Sequence, residues 1–239
     1  MVATRLPYKM LGGIVPCPGG WLILPARLAT VTVIGEEPFV VKTFMEVLEF
    51  KPKFDAAAVY APVGFYDDPR SSFRPCDEEA REIVGWPRRV AIKPIPSRAA
   101  LHATSRAEAL ELEPWLTRMD FRMFKWWREA EREFQPFHQR SFFSAHPDLS
   151  YGVLNGDRPL TSSPYQQDGV LERMALVREK LPGVEEFIAQ AAPKGAAQVH
   201  VVQAAGLLWT ARRASGRAIT RLPVDPNWDE TGLRMEIAR

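Results

Sequence analysis

Asp55-Ala-Ala-Ala-Val-Tyr-Ala-Pro-Val-Gly64 is a continuous apolar run closed by proline and glycine. A strand with one wet face alternates polar and apolar residues, whereas an unbroken apolar run is the pattern of a strand covered on both faces. Residues 55–64 therefore predict a central strand with helices on either side of its sheet. Upstream, residues 40–50 place apolar side chains at 40, 41, 44, 45, 47 and 48, a helical period halted by Lys51-Pro52-Lys53. Earlier still are three β-rich runs, residues 11–15, 21–24 and 29–35, the first two joined by Pro16-Cys17-Pro18-Gly19-Gly20, a turn by composition. The β-β-β-α-β order, completed by a return to the sheet at residues 141–150, predicts an α/β fold with a mixed five-stranded sheet flanked by helices.

The remaining segments fit around that sheet. Asp77 is placed to cap a helix over residues 78–84, with acids in its first turn and Gly85 after its last. Residues 98–140 form a helical insertion that contains the aromatic segment 121–134. Two late helices, residues 167–181 and 196–214, close the order, with Gly216 expected just beyond the end of the second. At 239 residues, 46% hydrophobic and 25% charged, the chain fits one domain over residues 1–239.

Composition also narrows the function classes. A net charge of +2 lacks the basic stripe of a dedicated nucleic-acid binder, and Arg212, Arg213, Arg217 and Arg221 read as a solvated helix end. Cys17 and Cys76 are too few for a disulfide framework or a four-cysteine zinc site and read as packing residues. Arg5 and Lys9 precede no apolar signal segment, and no window approaches the apolar length of a membrane span. A cytoplasmic protein without membrane contact is expected.

Candidate chemistry concentrates where the run Ser141-Phe-Phe-Ser-Ala opens onto His146-Pro147-Asp148. An acid at the mouth of a buried strand is a common place for a functional carboxylate, so Asp148 and His146 head the candidate catalytic set. Asp77 and Arg81 join them, four residues apart and able to meet on one helix face as an ion pair. His200 and Gln203, three apart on the last helix, are further polar candidates, while Asp67-Asp68 reads as a turn pair. Trp126-Trp127, beside Lys125 and Arg128, could stack bases but reads better as core or interface. Phe121, Phe124, Trp126, Trp127 and Phe134 exceed one narrow helix face, which predicts a homodimer contact through residues 121–134.

Gly13-Ile-Val-Pro-Cys-Pro-Gly-Gly-Trp21, Ala58-Val-Tyr-Ala-Pro-Val-Gly64, Arg74-Pro-Cys-Asp-Glu-Glu-Ala-Arg81, His146-Pro-Asp148 with Leu154-Asn-Gly156, and Gly169-Val-Leu-Glu-Arg173 resemble, in this order, the domain of unknown function 429 family. The resemblance spans nearly the whole chain and is weakest over residues 98–140. It implies an RNase H-like fold and predicted nuclease activity, in which carboxylates from the first strand, a central strand and a late helix hold two divalent ions. At the family's acidic positions this chain carries Val15, Tyr60, and His200 with Gln203. Valine cannot ligate a metal, and a phenol with a pKa of about 10 stays neutral at pH 7. The resemblance thus implies a catalytically inactive member with no metal or other cofactor. Magnesium or manganese would enter only if Asp148, Asp77 and His200 formed a rearranged nuclease site. A non-enzymatic binding or oligomerisation module is the other alternative.

Overall fold

We describe the protein from a computed structural model covering residues 7–70 and 73–239; residues 1–6 and 71–72, Arg5 among them, lie outside the described residues. Alternate residues of the first strand, β1 (Lys9–Cys17), serve two cores. Leu11, Val15 and Cys17 face one side of the sheet and Met10 and Ile14 the other, and all five are buried. The second strand, β2 (Gly20–Ala29), pairs antiparallel along the whole of β1, while β3 (Thr32–Gly35) and β4 (Phe39–Val41) pair antiparallel with opposite ends of β2. After a short helix, α1 (Phe44–Leu48), β5 (Ala56–Val59) joins β1 in parallel, and β6 (Phe142–Ser144) joins β5 in parallel. The order β3-β2-β1-β5-β6, with β4 beside β2, is the mixed sheet expected of an RNase H-like α/β fold.

Helices cover both faces, which is why β5 reads as an unbroken apolar run. α2 (Pro75–Val84) follows β5, and the insertion supplies α3 (Arg98–Leu101), α4 (Arg106–Leu112) and α5 (Arg118–Glu133). α6 (Pro147–Leu154), α7 (Gln167–Lys180), α8 (Glu185–Ala189) and α9 (Gln198–Ser215) form the layer over the Leu11 face. α9 lies almost against the backbone of β1. A Cβ placed on Gly13 would stand 2.0 Å from the carbonyl oxygen of Ala204, so only glycine permits this approach. Gly206 makes similar room for the ring of Tyr151, whose hydroxyl donates to the Val202 carbonyl at 2.7 Å.

The structure corrects several local readings. Of residues 40–50, the first two belong to β4, and the helix begins only at Phe44 under a Thr43–Glu46 capping box. Only Ala56–Val59 of residues 55–64 is strand. Residues 141–150 divide between β6 and α6, because His146 caps a helix that opens with Pro147. Arg74, not Asp77, is the cap of α2, and Asp77 sits in its first turn. At the end of α9, Gly216 is the cap at φ −91°, and Arg217 takes the left-handed position at φ +57°. Two short strands were not anticipated: β7 (Arg221–Leu222) and β8 (Ile237–Ala238) pair antiparallel, and Ala238 bridges in parallel to Ala145 just beyond β6.

α5 buries two faces within its own chain. Phe124 and Trp127 pack among α3 and α4, while Ala130, Trp126 and Phe134 pack on the sheet with Ile14, Trp21 and Phe44. The Trp126 indole donates to the Gly20 carbonyl at 2.9 Å, and Glu129 accepts from the Trp21 indole at 2.8 Å. Full burial of such aromatic side chains contributes roughly 1.5–3 kcal/mol each. The aromatic residues behind the expected homodimer contact thus also have packing partners within the chain, in a helical insertion that folds back onto the sheet.

Candidate functional site

A cavity of about 490 Å³ opens where the ends of β1, β5 and β6 meet α5, α9 and the segment after α2. Six predicted site residues line it: Tyr60, Asp77, His146, Asp148, His200 and Gln203. Val15 and Arg81 do not. Val15 stands beside Tyr60 across the parallel β1–β5 pair, where the Tyr60 N–H donates to the Ile14 carbonyl, and both face the α9 side; but Val15 is fully buried beneath the cleft floor.

Arg81 is the clear correction in the candidate set. Its guanidinium donates to the carbonyls of Arg89 and Ile92 and lies 4.3 Å from the Phe73 ring centroid, so the Asp77–Arg81 pair does not form. Asp77 is instead gripped by Arg74, whose Nε and Nη2 reach its two oxygens at 2.7 and 2.9 Å. The remaining Arg74 nitrogen, Nη1, donates to the carbonyls of Val63 and Gly64, tying the loop after β5 to α2. Both side chains of this fork are about 3% exposed, and a bidentate pair of this kind fixes the geometry of both groups.

Asp148 is held in the same way by two cations. Arg88 Nη2 donates to Oδ2 at 2.9 Å and Arg173 Nη2 to Oδ1 at 3.1 Å. Arg173 is 1% exposed and also donates to Gly169 O and to the hydroxyl and carbonyl of Ser162, so its position is fixed on all sides. The Gly169-to-Arg173 spacing puts the guanidinium one helical turn from its own carbonyl partner. Gly169 itself allows the chain at Ser163 to approach, since a Cβ there would meet the Ser163 oxygen at 1.9 Å.

The histidines share one tautomer. His146 Nδ1 accepts the Asp148 N–H at 3.2 Å and His200 Nδ1 accepts the Ala197 N–H at 2.9 Å, so each ring is left with its proton on Nε2. Burial lowers both pKa values, keeping the rings neutral near pH 7. His146 Nε2 is buried without a partner. Tyr60 packs edge-on against His146 at 5.0 Å, and burial, reinforced by the Asp148 charge, pushes its phenol well above the ordinary tyrosine value. It is a neutral hydroxyl, as its sequence position implied.

Arg88 and Asp120 are among the cleft residues that lie outside the candidates named from sequence. Arg88 comes from a single 3-10 turn after α2 and has a buried Nε without a partner. Asp120 completes the Thr117 capping box of α5 through Oδ2, while its Oδ1 is buried and unpartnered. The capping box of Asp120 is legible in Thr117-x-x-Asp120; its place in the cleft is not, because that depends on how the insertion docks.

The charges lining the cavity are four cations, Arg74, Arg88, Lys93 and Arg173, against three carboxylates, Asp77, Asp120 and Asp148. A two-metal centre needs the reverse balance. Among the described residues no group of three or more His, Cys, Asp or Glu side chains is placed to hold a metal ion. The donor set present does not fit the divalent ions that the fold family implies: Val15 is apolar, Tyr60 neutral, and Asp77 and Asp148 are already bound by guanidinium.

The chain matches the family described as "Protein of unknown function (DUF429)" over residues 13–227. It belongs to that family. The match runs from the Gly13 approach site through the cleft to the loop after β7, so every cleft residue discussed above falls within the family region. No curated protein and no solved structure matches the chain. Among the described residues no helix is long and apolar enough to cross a membrane.

Proposed function

We propose that this member of the family lacks metal-dependent nuclease activity and keeps the RNase H-like cleft as a binding site. The observation that carries the proposal is Asp148, the acid at the mouth of β6, spanned by Arg88 and Arg173. A two-metal nuclease sets divalent cations against such carboxylates to polarise phosphate and generate hydroxide. Here guanidinium groups stand against the acid instead, and one of them is almost wholly buried. Withdrawing Arg173 to admit an ion would leave its charge unpaired in the interior, a large cost. The rearranged site would also require Asp77 to leave Arg74 and His200 to turn its remaining nitrogen, and nothing in their hydrogen bonding favours either. Cys17 and Cys76 are both buried and unpaired, which suits the reducing cytoplasm proposed for the chain.

The test is incubation of purified protein with single-stranded DNA, duplex DNA, RNA and RNA–DNA hybrid, with magnesium or manganese. We expect no metal-stimulated cleavage. Cleavage that co-elutes with the protein and disappears on chelation would overturn the proposal.

A further inference from the structure

We propose that the cleft binds a small organic anion, one carboxylate or phosphate head on a flat, largely apolar body carrying an N–H or O–H donor. This rests on the metal-free reading above and adds the chemical class of the occupant. The head-group end is defined by donors with nothing to donate to. His146 is 7% exposed, its Nδ1 is used by the Asp148 N–H, and its Nε2–H lacks a partner. Arg88 Nε is likewise buried and unpartnered, and Tyr60, whose ring packs edge-on against His146, lines the same cavity with a neutral phenol. Lys93 lines the same cavity and forms no ion pair among the described residues. Asp148 does not satisfy these groups: its oxygens accept from Arg88 Nη2 and Arg173 Nη2, and neither His146 Nε2 nor Arg88 Nε is partnered by it. Several donors around one space with a surplus of positive charge are the complement of an oxyanion.

The opposite wall selects the body. Met119, Met123 and Trp126 of α5, with Ile95, present thioether and aromatic surface to the cavity. Such side chains adapt to flat rings. Asp120 lies on this wall and is 2% exposed, with Oδ1 unpartnered, an acceptor that an N–H or O–H on the ligand would meet. A pure hydrocarbon chain would leave it unmet. The volume, about 490 Å³, lies in the range of organic-ligand sites and is much larger than an inorganic anion needs.

The experiment uses matched pairs on the full chain: adenosine 5′-monophosphate against adenosine, indole-3-acetate against indole-3-acetamide, and inorganic phosphate alone. Thermal shift and calorimetry are run with each at up to about 1 mM. At least one anion of a pair should bind saturably and raise the unfolding midpoint by several degrees, with its neutral counterpart at least ~10-fold weaker. Which pair responds distinguishes a phosphate head from a carboxylate. Lys93→Met should weaken that anion by about 10-fold. Met119→Trp, a change at a residue 57% exposed, should obstruct the apolar end without disturbing the core. If neither anion binds, if a neutral partner binds as tightly as its anion, or if inorganic phosphate alone accounts for all binding, the assignment is overturned. Metal-stimulated nucleic-acid cleavage is scored separately, since it would overturn the metal-free reading rather than the class of occupant.

Discussion

Two charge clusters, the first partly exposed and the second largely buried, have opposite stoichiometry. Around Arg98, one guanidinium meets three carboxylates: Asp67 at 2.8 Å, Glu131 at 2.9 Å and Asp229 at 2.6 Å. Around Asp148, one carboxylate meets two guanidiniums, Arg88 and Arg173. The first cluster joins the loop after β5, the start of α3, the last turn of α5 and the segment before β8, and its acids have further hydrogen bonds to spare. Asp229 also accepts from the backbone N–H groups of Phe65, Thr231 and Leu233. The second cluster lines a cavity and leaves donors unused. Excess acceptors around a cation make a structural tie, whereas excess donors around an anion leave capacity for something else to bind.

The contrast is broken most severely by Asp148→Ala. Arg173 would remain 1% exposed without its counter-ion, and we expect a loss of about 3–5 kcal/mol in urea denaturation. A loss below about 1 kcal/mol would mean that Arg173 is satisfied by Ser162 and Gly169 alone and that the two clusters are alike. Loss of nuclease activity in this variant would carry little weight by itself, because stability falls with it.

Arg98→Met should cost less, about 2–3 kcal/mol, since Asp229 retains its backbone donors. Its effect should be local, with proteolysis advancing first in residues 223–232. A global loss equal to that of Asp148→Ala would erase the distinction.

The smallest effects are in pH. Burial alone would raise the Asp229 pKa, but its hydrogen bonds from Leu233, Thr231, Arg98 and Phe65 outweigh burial and hold it below the ordinary aspartate value. Its stabilisation is present above the unfolded-state pKa, about 3.9, and is lost as pH falls through the lower folded value. For His146, burial favours the neutral ring, so stability is complete above about pH 6.5 and declines below it as the unfolded chain takes up a proton first. His138 and His200 shift in the same direction, so His146→Asn should remove only part of that slope. Midpoints followed by circular dichroism across both ranges check the two signs, and an increase in stability on acidification from neutral pH would refute the second.

Much of the sheet was legible because burial on both faces writes itself as unbroken apolar runs, and because Pro16–Gly20 fixes the first hairpin. The failures have local causes. Val40 and Val41 satisfied a helical period by coincidence, and pairing with Leu22 and Trp21 makes them strand. The expectation of a strand reaching Ser150 overlooked Pro147, which opens a helix well and extends a strand poorly. The six cleft residues foreseen from sequence come from strand ends and helix starts that the fold itself brings together. The meeting of Arg88, Arg173 and Asp120 gives no such signal: Gly169–Arg173 and Thr117-x-x-Asp120 are legible as local motifs, but their common place is set by how the turn after α2, α7 and the insertion close over the sheet.

The contact between Gly13 and Ala204 has a mechanical corollary. Because α9 rests on the backbone of β1 with no side chain between them, the helix has no cushion, and its height above the sheet is set by a single missing methyl group. His200 lies one turn before Ala204 and Gln203 adjoins it, so both reach the cleft with the sheet itself as their datum. A methyl at position 13 would lift α9 like a shim under a beam, and the cleft would feel the displacement at its roof, far from the altered residue.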